Sequence, residues 1–192
     1  MKTIIWIVMA VFMGVGTIQA GTPKAYFSPK GGCQATICHE VSLAKSNIVI
    51  AAYQYSNIAI IGEIYKAQKR GVAISIIVDP GILLVTNSPI IYACTNGISA
   101  WVDSKHAIFH DKYMVVDHKK VITGSFNYSQ SAENRNAENV IVLQDVTLAK
   151  QYEADWAVHQ AHSVKLPAVI VVPTNIVENV VHTNVVPKYN GQ

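Results

Sequence analysis

The chain has 192 residues, 51% of them hydrophobic and 14% charged, which is enough to bury one sizeable core, short for two, and too apolar for a disordered polyelectrolyte. Lys and Arg number 15 against 12 Asp and Glu, a net charge of +3 that becomes +2 if Lys2 is lost with a leader. A histone-like cation is excluded, so any basic surface must be local.

The uncharged run from Ile4 to Met13 follows Lys2 and gives way to small and polar residues up to Ala20. This is the pattern of a secretory leader over 1–20, with an uncleaved anchor over Thr3 to Ala20 as the alternative. No Cys begins the mature chain, which speaks against a lipoprotein. The body is expected outside the cytoplasm, periplasmic or secreted. Cys33 and Cys38 are close enough to close a small disulfide loop, leaving Cys94 over; other pairings stay open. A zinc site of Cys33, Cys38, His39 and Cys94 is an alternative, but it lacks a paired C-x2-C knuckle.

After the turn-forming Ser28-Pro29-Lys30-Gly31-Gly32, the spacing predicts a helix from about Cys33 to Ala44. Asn47 to Tyr53 reads as a buried strand, Ile58 to Arg70 as an amphipathic helix stopped by Gly71, and Val72 to Asp79 as a second apolar strand. Strand, helix, strand is the signature of a parallel sheet with crossover helices. A helix over Ser88 to Asn96, closed by Gly97, leads to a short strand at Ile98 to Val102. Tyr113 to Val116 and Val121 to Thr123 are joined by Asp117-His118-Lys119-Lys120 as a hairpin, followed by a strand at Glu138 to Leu143 and a helix at Val146 to His162. The fold class is α/β, with a mixed, mostly parallel sheet flanked by helices. The body is assigned to 21–163. The remainder, 164–192, turns to Val, Asn, Pro and Thr from about Pro167, with a rough echo between Val171–Asn175 and Thr183–Pro187, and reads as a mobile or edge-hugging tail.

The chemistry concentrates in His110-Asp111-Lys112 and, beyond Asp117, in Gly124-Ser125-Phe126-Asn127. In extended chain His110 and Lys112 project from one face, as do Ser125 and Asn127. An imidazole, an ammonium, a hydroxyl and an amide suit a phosphate: Lys112 brings charge, Ser125 and Asn127 bring donors, and a histidine can attack phosphorus or transfer a proton. Asp117 lies seven residues from His110, on the opposite face of a straight strand. Its expected work is local, accepting backbone donors where the hairpin turns.

His110-x-Lys112-x4-Asp117-x6-Gly124-Ser125-x-Asn127 matches the HxKx4Dx6GSxN signature of the phospholipase D superfamily without a departure, and Asn136-Ala137-Glu138-Asn139 resembles the corresponding part of its small secreted bacterial endonucleases. The resemblance spans about Pro23 to His162. It implies a histidine that attacks the phosphodiester to form a phosphohistidine, while a second copy of that histidine protonates the leaving oxygen and then activates water, with no metal or cofactor. Carried over, His110 is nucleophile or acid, Lys112 and Asn127 hold phosphate oxygens, Ser125 assists, and Glu138 holds the far nitrogen of His110. Asp117 is the remaining member of the motif.

The only other H-x-K, His118-Lys119-Lys120, has Ser125 where the Asp belongs and reads as a solvated turn. One chain thus carries one motif, and a homodimer pairing two His110 side chains on a twofold axis is expected. His106, four residues before His110, is a candidate for the same substrate cleft. His39, His159, His162 and His182 read as ordinary surface or helix residues. Lys105, Lys119, Lys120 and Arg135 are candidates for phosphate contacts, and Tyr53, Tyr55 and Trp101 for base stacking, against the plainer reading of solvation and core. Three functions compete. A nonspecific nuclease on DNA, with RNA as a further substrate, leads. A lipid phosphodiesterase on phosphatidyl head groups or cardiolipin shares every catalytic residue, although the mature chain shows no basic amphipathic helix to hold it on a membrane. A binding protein without catalysis is the third.

Overall fold

Apolar runs at 47–52 and 73–78 are too hydrophobic to face water on either side, and in the computed structural model, which describes residues 22–84 and 88–167, they lie side by side as central parallel strands. In chain order the elements are β1 (Lys24–Ser28), α1 (Cys33–Ser42), β2 (Asn47–Ala52), α2 (Ile58–Lys69), β3 (Ala73–Val78), a 3-10 turn (Pro80–Leu84), α3 (Pro89–Thr95), β4 (Ser99–Val102), β5 (Lys112–Val116), β6 (Lys120–Gly124), α4 (Gln130–Asn134), β7 (Glu138–Gln144), α5 (Val146–His162) and β8 (Val164–Lys165). Asn57 caps α2 by accepting from the Ala59 and Ile60 amides, and Asp145 caps α5 through Thr147 and Leu148. The expected leader over 1–20 and the chain beyond 167 lie outside the described residues.

The strands form one mixed sheet in the order β1-β7-β6-β5-β2-β3-β4-β8. Only β2–β3 and β3–β4 are parallel; the other neighbours run antiparallel, so the expectation of a mostly parallel sheet is corrected. The reason is connection length: helices α2 and α3 carry the chain back for a parallel return, whereas a tight turn after β5 forces antiparallel pairing. Local periodicity also gave no sign of β1 or β8. Val164–Lys165, assigned by composition to the tail, pairs with β4, and the Leu166 amide donates to Ala100 O at 2.8 Å. The folded body therefore runs past residue 163.

Side chains alternate across the sheet. Ile48, Ile50, Ile74, Ile76, Met114 and Val116 pack against α1 to α4, while Ala51, Ile77, Tyr113, Val115 and Val121 meet Ala149 and Trp156 of α5. Trp156 also donates from Nε1 to Ile50 O at 3.0 Å. All three cysteines are free. Cys33 and Cys38 occupy one helix, where five residues turn the side chains about 140° apart, so the expected loop disulfide cannot close. No cysteine joins a metal-type cluster among the described residues, and the Cys33, Cys38, His39 and Cys94 set is not assembled. Burial pushes all three thiols above their ordinary value, the behaviour of small core hydrophobes.

Candidate active site

The carboxyl ends of β2, β3, β4 and β6 and the beginnings of β5 and β7 meet at one end of the sheet, the usual place for a site in such folds. There a cleft of about 620 Å³ is lined by His110, Lys112, Ser125, Asn127 and Glu138, together with Asp111, Tyr113, Thr123, Gly124, Gln151, Tyr152 and Asp155. Five of the six expected catalytic residues thus converge.

His110 is exposed, but its backbone is held on every side. The Phe109 amide donates to Asp79 Oδ2 at 2.9 Å, the Tyr53 amide donates to Asp111 O at 3.0 Å, and Lys112 Nζ donates to the carbonyl of His110 itself. Phe109 is buried beneath as an anchor. The imidazole ring lies 4.6 Å, centroid to centroid, from the Tyr53 ring, and Lys112 Nζ stands 5.2 Å from the centre of that tyrosine ring. Burial pulls the Lys112 ammonium below its ordinary value, with Asp111 and Glu138 opposing. An imidazole fixed through its own backbone beside a desolvated cation is preorganised to meet an anionic group.

Ser125 and Asn127 flank Phe126, whose burial in the core turns both polar side chains outward. Ser125 Oγ accepts from the amide of Asn139 at 3.1 Å and from Asn139 Nδ2 at 3.3 Å, which leaves its own proton to donate. Asn127 Oδ1 is buried and has no hydrogen-bond partner among the described residues. Gly124 explains itself: with φ +151°, an added Cβ would stand 2.2 Å from Asn139 O. Gly124→Ala is expected to destabilise the fold by about 2 kcal/mol through this overpacking, measurable as a lowered denaturant midpoint.

Other expectations are corrected. Glu138 lies in the cleft with His110, and its Oε1 accepts from Asn136 Nδ2 at 3.1 Å; no hydrogen bond joins it to His110 among the described residues. Asp117 sits at the far end of β5 from Lys112, outside the cleft; its backbone donors are real but belong to Lys45, Ser46 and Asn47 at the start of β2 rather than to the hairpin. His106 is not part of the cleft and bonds Asp103, as do His159 and His162, so these two are not ordinary helix residues. Burial alone would raise the Asp103 carboxyl, but hydrogen bonds from His162, His159, the Lys105 amide and His106 hold it well below the usual range. Lys120 pairs with Glu40 and His118 with Glu153, so the second H-x-K is an ion-paired turn remote from the cleft. Tyr55 is core and Trp101 packs on Trp156.

The wall supplied by Gln151, Tyr152 and Asp155 of α5 carried no motif. Its signal was positional, an i, i+1, i+4 polar edge on a helix whose buried stripe is Ala149 and Trp156. Tyr113 links the wall to the sheet by donating to Asp155 Oδ2 at 3.0 Å. Burial, reinforced by Asp155, pushes its phenol far above the ordinary value and keeps it a neutral donor.

A family model described as cardiolipin synthase, PLD-like domain, matches residues 37–158. Over 137 residues the chain is 36% identical to a Rickettsia bellii protein named phospholipase D, covering 71% of this chain and 68% of that one. Over 114 residues it is 28% identical to the mitochondrial cardiolipin hydrolase of Danio rerio, covering 59% and 50%. Among solved structures, Nuc from Salmonella typhimurium, a phospholipase D family member, superposes with a TM-score of 0.72 at 28% identity over 78% of this chain and 99% of its own. NucT from Helicobacter pylori shares the fold, with a TM-score of 0.69 at 18% identity over 77% and 100%. The intact motif, the cleft that it lines and these relatives agree that the chain belongs to the phospholipase D superfamily and is a phosphodiesterase.

Proposed function

We propose that this phosphodiesterase is an endonuclease that hydrolyses DNA, and RNA as a further substrate, with little sequence preference and through a phosphohistidine on His110. The observation that carries this reading is the composition of the cleft: His110, Lys112, Ser125 and Asn127 converge on one open site whose lining contains no aliphatic side chain to lodge an acyl group. Tyr53 packs beside His110 and Lys112 and supports these two side chains next to the site. Phosphate recognition alone suffices for an enzyme that ignores sequence.

In the proposed reaction an imidazole nitrogen of His110 attacks phosphorus, and the bond from phosphorus to the leaving oxygen breaks. Lys112 balances charge on the equatorial oxygens, and the Ser125 hydroxyl and the Asn127 amide donate to them. A second imidazole gives its proton to the leaving oxygen, then takes one from the water that opens the phosphohistidine. Each chain has one copy of the motif, so the second imidazole is assigned to His110 of an identical chain across a twofold axis. No step draws on a metal.

The lipid reading has its own support in the relatives named phospholipase D and cardiolipin hydrolase. The deciding experiment offers plasmid DNA, RNA and vesicles of phosphatidylcholine or cardiolipin at equal phosphate concentration, with EDTA present. Nucleic-acid cleavage is expected to exceed head-group release by at least about 10²-fold in kcat/KM, a difference of about 2.7 kcal/mol in transition-state stabilisation. Head-group release as the faster reaction would overturn the nuclease assignment, and failure to trap phosphate on His110 in a rapid quench would overturn the phosphohistidine route.

A further inference from the structure

Beside the cleft, and outside its chemistry, three imidazoles surround one carboxylate. Asp103 follows β4 directly and is fully buried. Its Oδ2 lies 2.8 Å from His159 Nδ1, 2.9 Å from His162 Nε2 and 3.1 Å from His106 Nδ1. His159 and His162 stand three apart on the last turn of α5, on one helix face, and His106 comes from the loop leading to His110. One ligand atom from each of the four residues lies within 4.8 Å of the others.

His159 Nδ1 faces Asp103, while its Nε2 faces Asp111 Oδ2 at 3.8 Å and Asp155 Oδ1 at 3.7 Å. Carboxylates on the outer side of a ligating imidazole are the kind of surroundings that orient metal-binding histidines. The donor set, three imidazole nitrogens and one carboxylate oxygen, is typical of zinc. Ligands about 2.0–2.1 Å from a tetrahedral ion stand about 3.3 Å apart, so the present N···O separations need open by only a few tenths of an ångström.

We propose that Asp103, His106, His159 and His162 bind a first-row divalent transition metal, zinc by preference, as a structural site that ties the end of α5 to the loop preceding His110. The metal is a staple: it joins the helix that supplies Gln151, Tyr152 and Asp155 to the segment that aims the nucleophile, and takes no part in phosphoryl transfer.

Cobalt(II) serves as the probe. The full chain is stripped with a chelator, the chelator is removed, and Co2+ is titrated while visible absorption is recorded. One Co2+ per chain, with the strong ligand-field bands of four-coordinate cobalt, loss of those bands on adding one equivalent of Zn2+, and no thiolate charge-transfer bands are expected. His162→Gln and His106→Gln should each weaken binding by at least about 10-fold. His106 is 44% exposed in its side chain, so its variant folds even if the helix variant does not. His118→Gln, outside the cluster, should leave the titration unchanged. Absence of saturable binding in the folded protein, binding that survives both cluster variants, or a thiolate spectrum would overturn the assignment and leave a hydrogen-bonded imidazolium cluster.

Discussion

Replacing His110 with Ala is expected to lower turnover by at least about 10⁴-fold while leaving the fold and the oligomer mass intact. The structure separates the two effects. Lys112 bonds the carbonyl of His110, and the neighbouring Phe109 amide and Asp111 carbonyl make the other fixing bonds, so Ala preserves every backbone contact. The lost ring contact with Tyr53 lies at an exposed position, so circular dichroism and the melting temperature should scarcely move. A rapid quench of the parent enzyme should capture phosphate on histidine, and none on the variant. Mixing parent and variant chains equally and allowing exchange tests whether the site is shared. A site needing two His110 copies should leave about a quarter of the activity that the same total of parent chains would show, because only parent–parent pairs work, whereas independent sites should leave about half. A fully active variant would remove His110 from the chemistry, and half activity in the mixture would remove the shared site.

The centre of the candidate site was legible because alternation writes it directly into the sequence. His110 and Lys112 are two apart, Ser125 and Asn127 bracket a buried Phe126, and the hairpin turn supplies the return. The central strands were equally plain, since the continuous apolar runs of β2 and β3 suit burial on both faces. Long-range pairing was not. Lys24 of β1 meets Val142 of β7, and Val164 of β8 meets Val102, across separations that no local window spans. The same limit hid the Asp103 cluster: Asp103 and His106 belong to one loop, His159 and His162 to a helix more than fifty residues later, and only the fold shows that they share one carboxylate. Glu138 is a different case, because its role was carried over from the family, and what its own surroundings add is a bond from Asn136, two residues away, to Oε1.

Asp117 is a motif residue whose bonds are all made away from the cleft. It has φ +54°, followed by His118 at +57°, a left-handed pair that reverses the chain between β5 and β6. The carboxylate thereby turns back toward the loop that enters β2, where Oδ1 accepts from the Ser46 amide at 2.7 Å, Ser46 Oγ at 2.9 Å and the Lys45 amide at 2.9 Å, with Oδ2 taking a second bond from Lys45 at 3.1 Å. The Asp117 amide donates in turn to Asn47 O at 2.9 Å, so β2 and β5 are locked in register at the end away from the cleft. Asp117→Ala is expected to cost about 3 kcal/mol, combining charge-assisted bonds lost to backbone donors with a side chain poorly suited to positive φ. Asp117→Asn, which tolerates that conformation, should cost about half as much and isolate the charge. Burial would raise this carboxyl, but the bonds from Ser46, Lys45 and Asn47 outweigh it and hold the folded-state value below the ordinary one. A depressed folded value means that the stabilisation is present above the unfolded value, about 3.9, and is lost as pH falls through the folded one. The gap in denaturant midpoint between parent and Asp117→Asn should therefore be full at pH 7 and close as the solution is taken below about pH 4. Where the Asn variant remains folded, its kcat on DNA should stay within about threefold of the parent, since no cleft residue moves. A catalytic loss of the size expected for His110, with stability unchanged, would place Asp117 in the chemistry instead.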